Sequence, residues 1–329
     1  MNEKRQQITA SAPGKLMLLG EHAVVYGRPC LVTAVGRWQA TIAPAADDRL
    51  HVTAPDVGLL DGAWSLTAPV GEMPAGARFI AAAVQEFRRQ HGGSGGLLVS
   101  TSSALSSRYG LGSSAAVTVA VLQALAAWQG VPLTQAELFD LGRRAVLAVQ
   151  GVGSGFDVAA AVYGGTLYFA DGGQTIEPLD SGDLPLVVGY SGVKADTATL
   201  VRGVAARRAA APQAIDRLFD ESTVLVEAGR PALQAGDFVT LGRLFDQAQE
   251  LLVRLGVSTP RLEALIAAAR EAGAWGAKLS GAGGGDCLIA LVSAARRQAV
   301  EAAIVAAGGE MLSVRPGEPG VCLEDEVDR

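Results

Sequence analysis

The sequence predicts an α+β protein of two domains. Strand-like and helix-like segments mix in its first part without the regular alternation of a doubly wound sheet. Its second part is rich in helical patterns but returns to short apolar strands. A chain of 329 residues also exceeds what one hydrophobic core usually organises. The change of pattern near residues 180–190 divides it into an N-terminal domain, 1–185, and a C-terminal domain, 186–329. No internal repeat or low-complexity linker interrupts either part.

The elements follow in order. Residues 8–12 read as a short strand ending at Pro13-Gly14, and residues 16–19 are apolar after Lys15. Gly20 to Gly27 turns the chain into a strand over 31–42, interrupted by Gly36. Residues 47–74 are rich in Pro and Gly and predict hairpins without placing the strands. A helix is predicted over 77–91, where Phe79, Ile80, Ala83, Val84 and Phe87 share a face, and glycines from 92 to 96 stop it. A strand over 96–102 comes next. Ser113 or Ser114 stands where a helix N-cap belongs, opening a helix over 115–128. A further helix covers 135–148, with acidic residues near its start and Arg143 and Arg144 further along, in keeping with its dipole. Strands are predicted over 164–169 and 186–190, and helices over 197–210, 214–228, 238–256 and 260–273. A glycine-bounded element over 276–285 precedes a strand over 287–292, a helix over 294–307 and a last strand over 311–315.

Composition narrows the function. A formal charge of −6 gives no support to nucleic-acid binding, which usually needs a basic stripe. The three cysteines form no C-x-x-C pair, and their odd number argues against a disulfide framework. A reducing cytoplasm fits them. The three histidines are too scattered for a structural zinc site. The first residues lack a signal peptide's apolar stretch. The uncharged run 109–136 contains glycines, glutamines and Pro132, so a buried helix of a soluble domain explains it better than a membrane span.

The chemistry concentrates in three glycine-rich segments. In Arg108-Tyr-Gly-Leu-Gly-Ser-Ser-Ala-Ala116, Gly110 and Gly112 allow close approach to the backbone. Ser113 and Ser114 offer hydroxyls to a phosphate or metal ion, and the following helix offers free amides, Ala115 among them. An ordinary glycine turn with a serine cap is the competing explanation. The loop has no Walker A lysine, and Gly153-Ser-Gly-Phe156 lacks a dinucleotide-binding context. Asp157 either caps a helix or orients and deprotonates an acceptor. Lys15, directly after a Pro-Gly turn, can stabilise charge on a transferred phosphoryl group, though a lone lysine is more often solvated. In Gly276-Ala-Lys-Leu-Ser-Gly-Ala-Gly-Gly-Gly-Asp-Cys287, the glycines are costly to order unless something needs close access. Lys278 and Ser280 are its candidate anion contacts, and Cys287 reads as a packed thiol.

Three ordered motifs carry a family resemblance: Pro13 to Gly27, Gly110 to Ala116, and Lys278 to Asp286. With these the chain resembles the GHMP-type small-molecule kinases, which include galactokinase, homoserine kinase, mevalonate kinase and phosphomevalonate kinase. The resemblance implies a mixed N-terminal domain, a ferredoxin-like C-terminal domain and an active site between them. It implies ATP bound at Gly110, Gly112, Ser113, Ser114 and Ala115, Mg²⁺ at Ser114, and Lys15 and Asp157 as catalytic residues. The stretch before Gly151 lacks the glutamate that mevalonate kinase-like members use for the metal.

Within the family, Gly20-Glu-His-Ala-Val-Val-Tyr-Gly27 resembles mevalonate kinase. The Arg108 loop, the segments 150–164 and 188–201, and Gly-Gly-Gly-Asp-Cys287 resemble phosphomevalonate kinase. The expectation is therefore phosphorylation of 5-phosphomevalonate to 5-diphosphomevalonate by a cytoplasmic monomer or homodimer with no nucleic-acid or membrane partner. His22, Arg108, Ser154, Gly155, Lys194, Lys278, Ser280 and Gly283 are the expected substrate contacts. A doubly anionic acceptor favours an arginine such as Arg108. Mevalonate kinase, acting on the 5-hydroxyl of mevalonate, is the alternative, and an inactive small-molecule sensor on the same fold is the non-enzymatic one.

Overall fold

The computed structural model describes residues 7–324. A long strand β1 (Ile8–Leu19) pairs antiparallel with β2 (Cys30–Pro44) at the centre of the first sheet. Sequence reading stops a strand at Pro13, yet β1 runs through it. The pairing register shifts between Ala12 and Gly14, so the residue without an N–H sits at a bulge. One end of β2 pairs with β5 (Leu97–Ser103) and the other with β6 (Thr166–Ala170). The hairpin β3 (Arg49–Ala54) and β4 (Leu59–Ser65) lies in the Pro/Gly-rich stretch and joins β5 through β3. Beyond β6 lies β7 (Thr175–Leu179), a strand that the sequence pattern does not reveal.

Four helices accompany this sheet: α1 (Ala75–His91), α2 (Ser113–Gln129), α3 (Gln135–Gln150) and α4 (Phe156–Tyr163). The uncharged run forms α2, whose Val119 to Leu122 are fully buried. None of the described helices is long and apolar enough to cross a membrane. Only α4 escapes the sequence reading. Its eight residues are nearly all apolar, so no amphipathic period marks it.

The second sheet is antiparallel in the order β11-β8-β10-β9, from β8 (Leu186–Tyr190), β9 (Gly276–Ser280), β10 (Cys287–Leu291) and β11 (Glu310–Leu312). In sequence order this is fourth, first, third, second, the ferredoxin-like arrangement. Between β8 and β9 run α5 (Thr197–Ala210), α6 (Pro212–Gln234), α7 (Phe238–Arg254) and α8 (Pro260–Glu271), and α9 (Arg297–Ala306) precedes β11. Gly229 and Pro231 suggest an earlier end for α6. The helix continues because Gly229 packs directly on Leu19, Leu31 and Leu241, where a Cβ would come within 2.6 Å of the Leu19 side chain.

The chain finally returns to the first sheet. β12 (Cys322–Leu323) pairs with β1, and Gly165 N–H donates to the Glu318 carbonyl at 2.8 Å. The Arg37 guanidinium holds this strap through the carbonyls of Pro319 and Gly320 at 2.8 and 3.2 Å. Cys30 and Cys287 are buried, Cys322 is exposed, and all three are free thiols.

In the C-terminal sheet, α7 meets β9 backbone to backbone. A Cβ on Gly276 would lie 1.8 Å from the Gly242 carbonyl oxygen. Gly276→Ala is therefore expected to lower stability by about 3 kcal/mol or more through overpacking, since rigid backbone must move. Thermal and denaturant unfolding of the purified variant measure this, and a wild-type midpoint would contradict the contact.

Candidate active site

The site begins at a close approach of two backbone segments. Lys15 N–H donates to the Leu111 carbonyl at 2.7 Å, and a Cβ on Gly14 would lie 2.2 Å from that same oxygen. The Gly110–Gly112 loop is thereby pinned against β1. Both loop glycines have left-handed φ values, 71° and 81°. The buried Lys15 ammonium donates to the Gly110 carbonyl at 3.0 Å.

Gly112, rather than either serine, is the N-cap of α2, and no side chain caps the helix. The first helical bond runs from Ala116 N–H to the Gly112 carbonyl, leaving the amides of Ser113, Ser114 and Ala115 unpaired within the helix. Ser113 and Ser114 line a cavity of about 530 Å³, while the Ala115 side chain is buried, leaving only its amide for a ligand. A positive helix end, free amides and two hydroxyls are together the groups that suit a phosphate chain.

A second helix end faces the same cavity. Gly155, with φ 90°, caps α4, and Asp157 stands in its first turn with Oδ1 accepting the Val158 N–H at 3.0 Å. Burial pushes the Asp157 carboxyl above the usual aspartate value, and the charge of Lys15 opposes that rise. The Ser154 hydroxyl oxygen lines this wall, buried and without a partner among the described residues.

His22 completes the wall from the turn after β1. Burial pushes its imidazole below the ordinary histidine value. The ring is therefore neutral near pH 7, and Nε2–H donates to the Ala282 carbonyl at 2.9 Å. Its backbone φ is 59°, unusual for a residue with a side chain.

Lys15, His22, Gly110, Gly112, Ser113, Ser114, Ser154, Gly155, Asp157 and Lys194 all border the cavity. Ala115 and four other expected contacts do not. The Lys278 ammonium is fully buried and bonds the Glu21 carboxylate and the Leu279 carbonyl. Ser280 Oγ is spent on Met17 of β1, accepting from its N–H and donating to its carbonyl, both at 3.0 Å. Gly283 is packed against Val257, where a Cβ would meet the carbonyl at 2.2 Å. Arg108 points outward, paired with Glu310 at 2.8 Å and stacked over Tyr109 and Tyr190. For Lys278, Ser280 and Arg108 a partner within the fold has claimed the side chain, and for Gly283 the backbone is packed away from the cavity.

Sequence reading missed several wall residues. Arg143 packs under Gly155 and donates to the Gly172 carbonyl at 3.0 Å. Val24, Val25, Phe79, Val146 and Leu147 give the cavity an apolar part. They belong to three separated segments, and apolar residues on helices look alike whether they face a core or a cavity. Asp286 also lines the cavity. Its position after three glycines is a signal that could have been read.

The comparisons with known proteins agree with this architecture. The GHMP kinase N-terminal domain model matches residues 78–165, and the GHMP kinase C-terminal model matches residues 230–310. The mevalonate kinase of Thermococcus sibiricus is 35% identical over 334 residues, covering 98% of this chain and 99% of that protein. That of Pyrococcus horikoshii is 35% identical over 335 residues with the same coverage. The crystal structure of the Methanococcus jannaschii mevalonate kinase superposes with a TM-score of 0.81 at 24% identity, covering 97% of this chain and 100% of that one, a likeness of fold. The chain belongs to the GHMP kinases.

The relatives overturn the expectation of phosphomevalonate kinase, because both full-length relatives at 35% identity are mevalonate kinases. The structure removes one physical support as well. Arg108, the residue expected to receive a 5-phosphate, is outside the cavity and already paired.

The Asp157 carboxyl is expected to titrate above an ordinary aspartate. Lys15→Met should raise it further, because the charge that favours the ionised form is gone. Carbon-13 NMR titration of the aspartate carboxyls, with Asp157→Asn to assign the resonance, measures both shifts. A lower value in Lys15→Met would refute the coupling.

Proposed function

We propose that this protein transfers the γ-phosphoryl group of ATP to the 5-hydroxyl of mevalonate, forming 5-phosphomevalonate and ADP. The carrying observation is full-length similarity to mevalonate kinases together with a buried carboxylate and a lysine at one cavity wall. An alcohol must lose a proton as its oxygen attacks phosphorus, whereas an acceptor phosphate is already ionised. A carboxylate whose proton affinity is raised suits the first task.

In this reading Asp157 orients the hydroxyl and takes its proton as the new P–O bond forms and the bond to the ADP oxygen breaks. Lys15 stabilises the charge that develops on the transferred group. The amides of Ser113, Ser114 and Ala115 hold the phosphates, with Gly110 and Gly112 giving the backbone close access. The hydroxyls of Ser113 and Ser114 are hard oxygen donors, and the described residues contain no group of three His, Cys, Asp or Glu that could hold a metal. That donor set fits Mg²⁺ carried in with the triphosphate, with Ser114 as the protein ligand. When bound, Mg²⁺ would neutralise phosphate charge. His22 and Ser154 border the acceptor, and the apolar wall excludes water.

ATP-dependent turnover of mevalonate with identification of 5-phosphomevalonate tests the assignment. Efficiency should be higher with mevalonate than with 5-phosphomevalonate. Asp157→Asn should lower kcat by about 10²-fold or more, and Lys15→Met by a similar order. Because Asp157 must be ionised to accept a proton, kcat should fall with decreasing pH through a value above that of a free aspartate. No mevalonate-dependent ADP release, or normal kcat in both folded variants, would overturn this reading.

A further inference from the structure

Asp286 stands out by its backbone. It is a buried residue with a side chain at φ 54°, directly after three glycines. Such a conformation costs free energy and persists only where surrounding contacts impose it.

Those contacts converge on one turn. Asp286 N–H donates to the Val193 carbonyl at 2.7 Å, and its own carbonyl accepts the Ser191 N–H at 2.9 Å. Carboxylate Oδ1 accepts the Ala195 N–H at 2.9 Å. One residue thus grips the segment 191–195 at three points. The carboxylate also lies over Gly110, where a Cβ would come within 2.2 Å of Oδ2. It therefore joins the turn to the phosphate-binding loop.

The turn carries Lys194, an exposed residue bordering the cavity. Its ammonium reaches across the mouth to the Ser107 carbonyl, which leaves two of its three donors. The other cations on the wall have different tasks. Lys15 is bound to the Gly110 carbonyl beside Asp157, His22 is neutral, and Arg143 is turned to Gly172.

We propose that Asp286 is a positioning residue that fixes the 191–195 turn so that Lys194 holds the carboxylate of the acceptor at the cavity mouth. The inference rests on the reading above, in which the acceptor is a hydroxy acid.

Steady-state kinetics with each substrate varied separately tests it. Asp286→Gly keeps the backbone conformation free of strain and removes the Oδ1 acceptor. It should raise KM for mevalonate about tenfold and leave KM for ATP within about twofold, the scale of one lost charge-assisted contact. Asp286→Asn keeps an oxygen for the Ala195 N–H and should return KM for mevalonate to within about threefold of wild type, the residue being a clamp rather than a charge. Lys194→Met should match Asp286→Gly, and the double variant should be no worse than either single one, since both remove the same contact. Three outcomes would overturn the proposal: an unchanged KM for mevalonate in Asp286→Gly, an equal rise in both KM values, or multiplied effects in the double variant. If Asp286→Gly fails to fold, Asp286→Asn and Lys194→Met still decide it through the same comparison. Wild-type turnover of mevalonate in the same series separates this inference from the functional reading. Its absence would sink both, whereas its presence with unaltered variants would sink the clamp alone.

Discussion

The candidate active-site cavity depends on a buried seam between the two sheets, with the Glu21–Lys278 ion pair at its centre. Both side chains are essentially inaccessible to solvent. Burial lowers the proton affinity of the Lys278 ammonium, and the Glu21 carboxylate opposes that effect. Such a pair adds little net stability, because desolvation offsets much of the attraction. Its physical weight lies elsewhere. Either charge left alone in this environment would be strongly unfavourable, so the turn after β1 and strand β9 are held in one relative position. Ser280 bonding to Met17 and His22 bonding to Ala282 extend the seam on either side.

This seam explains why neighbouring residues of one motif serve different ends. Lys278, Ser280 and Gly283 close the interface, while Gly281, Ala282 and Asp286 reach the cavity. Likewise Glu21 binds Lys278 and borders the cavity beside His22, which bonds Ala282. The glycines are seam material as much as ligand material. Gly283 and Gly285 lie so close to the carbonyls of Val257 and Val193 that a Cβ would come within 2.2 and 2.4 Å. The cost of ordering glycine is offset by backbone approach that no other residue permits.

Two helix ends and one lysine would supply the chemistry of the proposed transfer. α2 turns its free amides toward the cavity, and α4 turns Asp157 toward it. Lys15 stands between the two, bound to Gly110 and felt by Asp157. The selectivity of such a site follows from what is left unpaired. Arg108, the arginine expected to meet a phosphorylated acceptor, is spent on Glu310. The buried carboxylate and the partly apolar wall suit a neutral hydroxyl. The C-terminal strap supports this arrangement from behind, since Val321 N–H donates to Ala161 within α4 at 3.0 Å.

The sequence by itself determined the α+β class and most helices, and it singled out the glycine-serine loop, Lys15 and Asp157 that the structure brings to one cavity. These are legible because they rest on local rules. Apolar periodicity marks helices such as α1 and α7, and glycines with hydroxyls before a helix mark an anion site. Where periodicity is absent, as in α4, or pairing is non-local, as in β7 and β12, the local pattern is silent. Tertiary structure alone decided which side chains remain free for a ligand. Lys278 and Arg108 read as anion contacts in sequence because charge is a property of the residue. Whether that charge faces a ligand depends on a partner distant in sequence: Glu21 lies 257 positions from Lys278, and Glu310 lies 202 from Arg108. The same holds for Asp286, whose importance comes from a turn and a loop that meet only when the two sheets pack together.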